Sequence, residues 1–251
     1  MVVPLTPYAK QNGGKFDFIV EKEYAMPQDL SFWLYLFEQA KTWGLIVYEQ
    51  DWLDTEFTDV HASVASVDVA RTWLMQMGEA ARAVDVTIQY CSASPRHALQ
   101  ALEIPVVTQA RASRDYRAGS DQWMIGVTSI FADAVGIAPF KDTFWTERVQ
   151  PGNRYNLSET RTNLQVAVST LSTGPVGPSD MINHTDIYVL MQCCRADGKI
   201  LQPDKPATAI DKQLWQAAWP GSGPVGQVWT TYTTIGSDTF AYPGSSHELV
   251  L

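Results

Sequence analysis

The sequence predicts an α/β fold in which parallel strands alternate with helices. Six strand–helix units follow one another, with strands expected near residues 18, 46, 88, 106, 138 and 176. Strict alternation of this kind is typical of parallel sheets with right-handed crossovers. The chain has 251 residues, of which 45% are hydrophobic and nine are tryptophan. This composition is sufficient for a hydrophobic core and differs from that of disordered chains.

The first half of the pattern has clear boundaries. A predicted strand at 16–21 is followed by Asp29, a candidate helix N-cap. Apolar residues then recur at helical spacing over 30–43, and Gly44 is expected to end this helix in a left-handed conformation. The remaining elements predicted here are a strand at 45–48, a helix at 67–84 and a strand at 86–91.

The second half continues with shorter elements. We expect helices at 95–102, 122–135, 158–171 and 187–194, and strands at 106–107, 136–140 and, for the last one, from 174–178 onwards. Six units are two fewer than a closed eight-stranded barrel contains, and an open doubly wound sheet is the alternative. No glycine-rich phosphate loop follows the first strand, which argues against nucleotide binding.

The composition changes after Asp211. Residues 220–224 are glycine, serine and proline, which predicts a linker or wide turn, and 228–234 are rich in β-forming residues. We therefore expect a first domain over 1–211 that holds the strand–helix units and any catalytic site. Residues 212–251 would form a linker and the beginning of a C-terminal β-domain.

Charge and hydropathy exclude some classes of partner. The net charge of −9 argues against nucleic acid, and no apolar run reaches the ~20 residues of a membrane span. Residues 1–7 have neither a basic lead nor a long apolar block, so we predict no signal peptide in this chain. Two glycosylation sequons, Asn156-Leu157-Ser158 and Asn183-His184-Thr185, slightly favour a secreted or lysosomal glycoprotein and leave the compartment open.

The three cysteines predict neither a disulfide framework nor a metal site. Cys91 is far in sequence from Cys193 and Cys194, and their spacing is not that of a zinc site. We expect the adjacent pair to lie on opposite sides of a buried strand. No cofactor and no metal are predicted.

Carboxylates and an arginine follow two of the predicted strands. Strand 45–48 leads into Glu49-Gln50-Asp51-Trp52, and strand 106–107 leads to Arg111 and Asp115. Barrel enzymes hold their catalytic side chains at strand ends of this kind, and two carboxyl groups are what glycoside hydrolysis requires. The alternatives are a helix cap or loop position for each aspartate, and a bridge between strand ends for Arg111.

Four segments together resemble glycoside hydrolase clan D, the α-galactosidase and raffinose synthase group. They are Tyr48-Glu49-Gln50-Asp51, Arg111-Ala112-Ser113-Arg114-Asp115, the segment 139–144, and the pair 174–180 and 196–201. The resemblance covers about residues 16–211. It implies an incomplete (β/α)8 barrel of the TIM type that holds about strands three to eight. It also implies a fragment, whose partner is the rest of its parent chain.

The resemblance implies a retaining glycoside hydrolase or transglycosidase that acts on an α-linked sugar in an oligosaccharide or glycoside. Asp51 takes the position of the nucleophile and Asp115 that of the acid/base. Further substrate-binding residues are expected to be Arg111, Glu49, Trp52, Tyr116, Asp142, Asp180 and Trp145.

Two positions depart from the family pattern. Glu49 replaces a lysine, and Arg114 replaces the aspartate of raffinose synthases. These departures favour a sugar other than galactose. They also keep open a non-catalytic carbohydrate-binding or scaffold protein, or an inactive fragment.

Overall fold

The computed structural model describes residues 15–21, 24–234 and 246–250, the last five by their backbone alone. Residues 1–7, considered above as a signal peptide, lie outside this part of the chain. The chain divides into two compact units, Met1–Ala110 and Arg111–Leu251. The division at residue 211 that composition suggests stays a prediction.

The first unit contains a short hairpin followed by alternating helices and strands. Its elements are β1 (Phe18–Glu21), β2 (Tyr24–Pro27), α1 (Leu30–Thr42), β3 (Val47–Gln50), α2 (Leu53–Asp59), α3 (His61–Ala65), α4 (Val69–Ala83), β4 (Thr87–Tyr90), α5 (Pro95–Gln100) and a 3-10 turn (Ala101–Glu103). Asp29 caps α1 as expected, because its carboxylate accepts the Ser31 N–H at 2.9 Å. Helices α1 and α4 pack together, and each carries a buried tryptophan, Trp33 and Trp73 respectively.

The second unit is built from shorter helices and a small antiparallel sheet. Its elements are α6 (Thr128–Ala134), β6 (Ala138–Phe140), α7 (Thr162–Thr170), α8 (Ile187–Leu190), a 3-10 turn (Met191–Cys193), β7 (Thr208–Ala209), α9 (Asp211–Ala218), β8 (Trp229–Thr234) and β9 (Ser246–Val250). Strands β7, β8 and β9 form the antiparallel sheet. Helix α7 contributes Val166 to one hydrophobic cluster, around Phe144, and Val168 to another, around Trp229.

A four-stranded parallel sheet among helices confirms the α/β class. Its order is β3-β4-β5-β6, where β5 is Val107–Arg111. Strands β3 and β4 pair in parallel from Val47 with Thr87 to Gln50 with Tyr90. This register brings the residues that follow the two strands to the same edge of the sheet, which is where α/β proteins place functional side chains.

Three predictions about these elements are wrong, the first of which concerns the pairing of a strand that is itself present. The strand near residue 18 is not part of the parallel sheet, because it pairs antiparallel with β2. Residues 174–178 form no strand, and Pro178 makes an isolated bridge to Phe144. Cys193 ends a 3-10 turn rather than lying on a strand beside Cys194, and all three cysteines are thiols. Among the residues that the structure describes, no helix combines the length and the hydropathy of a membrane span.

The Trp229 cluster gives a stability prediction for the second unit. A Cβ at Gly126 would overlap the Trp229 indole, whereas a Cβ at Gly177 would have the Thr143 methyl group 3.8 Å away as its nearest neighbour. We expect Gly126→Ala to lower the free energy of unfolding by about 1–3 kcal/mol through overpacking. Gly177→Ala, the matched control, should change it by less than about 0.5 kcal/mol. Urea denaturation measures both, and equal effects would contradict this packing.

Candidate functional site

A cleft of about 1560 Å³ lies in the second unit, along the residues that follow β5 and β6. Its lining includes Arg111 at the end of β5, Tyr116 after it, Trp145 after β6, and most of the loop 152–157. Ligands of α/β proteins bind at the carboxyl ends of parallel strands. The cleft is therefore the candidate site of this unit.

Arg111 is the charged centre of the cleft. Its Nη2 lies 2.7 Å from Asp115 Oδ1, and its Nη1 lies 3.7 Å from Asp142 Oδ2. The arginine side chain is 12% exposed and that of Asp115 is 88% exposed. Arg111 is thus held within the protein while its carboxylate partner faces solvent. Through Asp142 it also joins the segments that follow β5 and β6, which is the bridging role considered above.

Hydrogen bonds fix the backbone around this arginine. Ala112 N–H donates to Phe140 O at 2.8 Å, and Asp142 N–H donates to Ser113 Oγ at 2.9 Å. The Asp142 carboxylate in turn accepts the Tyr116 N–H. Since Asp142 binds both the backbone and the guanidinium, it sets the position of the whole segment from Arg111 to Tyr116.

Tyr116 and Trp145 form an aromatic pair in the lining. Their ring centroids lie 6.0 Å apart at an interplanar angle of 73°, an edge-to-face contact. The Tyr116 hydroxyl donates to Glu159 Oε2 at 3.0 Å. Burial, together with the charge of Glu159, raises the pKa of this hydroxyl, so it stays a neutral donor. Rings of this kind can pack against the apolar face of a sugar.

Glu159 is a buried charge that supports Tyr116. Its side chain is 2% exposed. Besides the Tyr116 hydroxyl it accepts hydrogen bonds from Gln165 Nε2 at 3.0 Å and from the Arg161 N–H at 2.8 Å. A buried carboxylate needs such partners to offset its loss of hydration. The network therefore fixes Tyr116 from the side of α7.

Lys141 is a second buried charge, directly after β6. It is 1% exposed, and its Nζ donates to Asp142 O at 2.8 Å and to Thr143 O at 2.6 Å. The ammonium also lies 4.8 Å from the centroid of the Tyr116 ring. Burial lowers the pKa of Lys141 to about 7, and the charges of Asp142 and Glu159 limit the shift. Protonated and neutral amine therefore coexist at neutral pH.

The first unit holds the other predicted carboxylates at the end of β3. Asp51 Oδ1 accepts the N–H of Trp52 at 2.7 Å. Trp52 has a left-handed backbone with φ of 59°, and its side chain is 61% exposed. Glu49 is exposed and accepts a hydrogen bond from the Gln89 amide on β4. The left-handed turn projects the indole into solvent beside the Asp51 carboxylate.

Cys91 joins these two carboxylates in a group that could hold a metal ion. One ligand atom from each of Glu49, Asp51 and Cys91 lies within 4.8 Å of the others. Cys91 is buried, and its N–H donates to Gln50 O at 2.9 Å, which continues the pairing of β3 and β4. Thiolate and carboxylate oxygen are both zinc ligands.

Asp180 binds the segment that follows β6. Its Oδ1 accepts the Thr146 N–H at 2.8 Å and Gln150 Nε2 at 2.7 Å, and its Oδ2 accepts the Thr146 hydroxyl at 2.6 Å. Each carboxylate oxygen is therefore engaged within the protein. This arrangement stabilises the loop that carries Trp145.

The predicted site residues fall into two groups. Arg111, Asp115, Asp142, Tyr116 and Trp145 come together in the second unit, with Asp180 beside them. Glu49, Asp51 and Trp52 come together in the first. A shared cavity for Asp51 and Asp115 stays a prediction.

Sequence reasoning missed Lys141, Glu159 and Cys91. Lys141 directly follows a predicted strand, a position that could have suggested it. Glu159 carries no such signal, because two of its hydrogen-bond donors, Tyr116 and Gly119, lie 40 or more residues away in the sequence. Cys91 follows β4, and its nearness to Asp51 depends on the pairing of two strands.

Comparisons with known proteins add no relative. No protein-family model matches this chain, and a search of curated proteins finds no match. The resemblance to glycoside hydrolases therefore depends on the four segments described above.

Proposed function

We propose that this chain carries the site of a retaining glycoside hydrolase or transglycosidase that acts on an α-linked sugar. The proposal includes its scaffold, an incomplete (β/α)8 barrel of which β3 to β6 would be four strands. The observation that carries the proposal is the cleft that Arg111, Asp115, Tyr116 and Trp145 line together, with Asp142 bound to both Arg111 and Tyr116. Charged hydrogen-bonding groups and aromatic rings in a cleft are what a sugar requires.

The chemistry assigns different tasks to two aspartates. Asp51 attacks the anomeric carbon and forms a glycosyl–enzyme ester, while Asp115 protonates the departing oxygen. Water, or a second sugar in transfer, then gives its proton to Asp115 and releases the ester. Retention requires the two carboxyl groups to lie ~5–5.5 Å apart around the substrate.

The neighbouring residues would orient the sugar. Arg111 can donate to a sugar hydroxyl as well as to Asp115, because its guanidinium has five N–H donors. Asp142 fixes that guanidinium, and Tyr116, Trp145 and Trp52 offer ring faces. Glu49 would accept hydrogen bonds from hydroxyl groups near Asp51.

One observation favours a second candidate, a carbohydrate-binding protein without turnover. Asp115 is 88% exposed and has a guanidinium 2.7 Å away. The acids of glycosidases are typically sheltered carboxyls that hold a proton. An exposed carboxylate paired with arginine is instead suited to accept hydrogen bonds from sugar hydroxyls.

Active-site labelling tests the proposal. An α-glycoside analogue that carries an epoxide should esterify the nucleophile, and peptide mass spectrometry should locate the sugar on Asp51. Labelling should disappear in Asp51→Asn and persist in the matched control Asp54→Asn, which changes an exposed aspartate on α2. If calorimetry detects sugar binding but no residue is labelled and no glycoside is hydrolysed, the carbohydrate-binding protein is the correct candidate and the hydrolase is not.

A further inference from the structure

Three arginines of the cleft pair with no charged residue among those that the structure describes. Arg114, Arg117 and Arg154 all line it and are exposed. Within the described part of the chain, none of their guanidinium groups makes an ion pair or a hydrogen bond. The ion pairs of the second unit use other cations, such as Arg111 and Arg161.

The carboxylates of the cleft are already engaged. Asp115 faces Arg111 at 2.7 Å, and Asp121 faces Arg161 at 3.4 Å. These two aspartates are the acidic members of the cleft lining. The cleft therefore holds an excess of positive charge, although the whole chain has a net charge of −9.

Hydrogen bonds hold the backbone near Arg114 and Arg154. Arg114 lies between Ser113 and Asp115, in the segment that Asp142 binds. Arg154 lies in a loop that Asn153 closes, since Asn153 Nδ2 donates to Leu157 O at 2.6 Å and its Oδ1 accepts the Leu157 N–H at 3.1 Å. The loop also presents Tyr155, whose side chain is 72% exposed. The three positively charged side chains therefore surround the same cleft.

We infer that the cleft binds a ligand with an anionic oxygen group, namely a phosphate, a sulfate or a carboxylate. Guanidinium groups bind such anions through paired charge-assisted hydrogen bonds. A bound anion would offset the excess positive charge of the cleft lining. That the ligand is a sugar rests on the proposed function. We therefore assign an anionic sugar as the substrate class, and Trp145 and Tyr155 can pack against its ring.

A small ligand fits these charges better than a polyanion does. Nucleic acids and long sulfated chains meet the field of the entire protein, which is acidic and repels them. A single anionic group responds mainly to charges within about 10 Å at moderate ionic strength. The local excess of arginine can therefore select a small anionic ligand.

Calorimetric titration of the 251-residue chain tests the inference. The probes are glucose, glucose 6-phosphate, glucuronic acid, inorganic phosphate and a single-stranded oligonucleotide, all at one ionic strength. We expect the phosphorylated or carboxylated sugar to bind about tenfold more tightly than glucose, and added salt to weaken that preference. The two anionic sugars distinguish phosphate from carboxylate recognition.

Alanine variants identify the residues responsible. Arg114→Ala, Arg117→Ala and Arg154→Ala should each weaken binding of the preferred sugar about fivefold, the scale of an exposed charge pair. Arg82→Ala is the matched control, since this exposed arginine lies on α4 of the first unit. Circular dichroism establishes that each variant is folded.

The outcomes separate this inference from the proposed function. Equal affinity for glucose and both anionic sugars overturns the inference, as does a loss in Arg82→Ala that matches the other three. Tighter binding of a single-stranded oligonucleotide than of either sugar also overturns it. If the protein hydrolyses neutral glycosides but does not prefer anionic sugars, the proposed function is supported and this inference is wrong. If it prefers anionic sugars but hydrolyses no glycoside, this inference is supported and the proposed hydrolase is wrong.

Discussion

Asp51→Asn and Asp115→Asn are each expected to lower kcat for aryl α-glycosides by about a thousandfold or more. An amide at position 51 cannot form the glycosyl ester, and an amide at position 115 cannot transfer a proton. Steady-state release of the aryl alcohol measures both. Asp133→Asn is the control, because Asp133 lies on α6 and faces Lys205 at 4.0 Å on the surface.

The leaving group distinguishes the two aspartates. Without an acid, cleavage is slowed most when the departing oxygen is strongly basic, and least when it is a dinitrophenolate. The factor by which Asp115→Asn lowers the rate should therefore be about a hundred times smaller for the activated glycoside than for an alkyl glycoside. Asp51→Asn should lose activity on both, because ester formation is needed in either case.

Azide offers a further test of the assignment. In Asp51→Asn this small anion can replace the missing nucleophile, and in Asp115→Asn it can replace the activated water. The two variants should therefore form glycosyl azides of opposite anomeric configuration. Exchange of the two configurations between the variants would reverse the roles of the aspartates. Parental rates in both variants would remove the glycosidase proposal entirely.

The sequence predicts where the helices and strands of the first unit lie better than it predicts how the strands pair. Periodic apolar residues locate α1 and α4 to within two residues, because an amphipathic helix must bury one face. The strand at 18–21 is also located, but its antiparallel pairing with β2 is not, since pairing depends on a distant segment. The failure at 174–178 has a local cause, because two prolines and two glycines there oppose a ladder.

The candidate site shows the same division between local and distant information. Arg111 and Asp115 are four residues apart, and their ion pair follows from that local spacing. Asp142 reaches Arg111 from another strand end. The resemblance indicated Asp142 as a substrate-binding residue, but neither it nor the spacing predicted this contact. Buried polar groups such as Lys141 and Glu159 depend on complete sets of partners. No single segment of sequence contains those partners.

Replacing Lys141 by methionine is expected to change how the stability of the protein depends on pH. Burial lowers the pKa of Lys141 to about 7 in the folded protein, from 10.5 in an unperturbed lysine. Between these values the unfolded chain binds one more proton than the folded one. The free energy of unfolding therefore rises with pH across this window, by at most about 1.4 kcal/mol per unit. Below pH 7 both states hold the proton, and this contribution becomes constant.

Lys141→Met removes this contribution and leaves two carbonyl groups, Asp142 O and Thr143 O, without their donor. The variant should consequently be less stable at pH 10, where the neutral amine of the parent still donates. As the pH falls to 7 the parent loses its advantage, and the stability difference should shrink by on the order of 3 kcal/mol.

Urea denaturation from pH 6.5 to 10 measures that difference directly, because tyrosines, cysteines and other lysines titrate alike in both proteins. Lys212→Met is the matched control, since this lysine is exposed on α9 and should give a difference independent of pH. Parallel curves for the parent and Lys141→Met would mean that the amine titrates as it does in water. Lys141 would then be hydrated, and the polar network that joins it to Tyr116, Asp142 and Glu159 would be open to solvent.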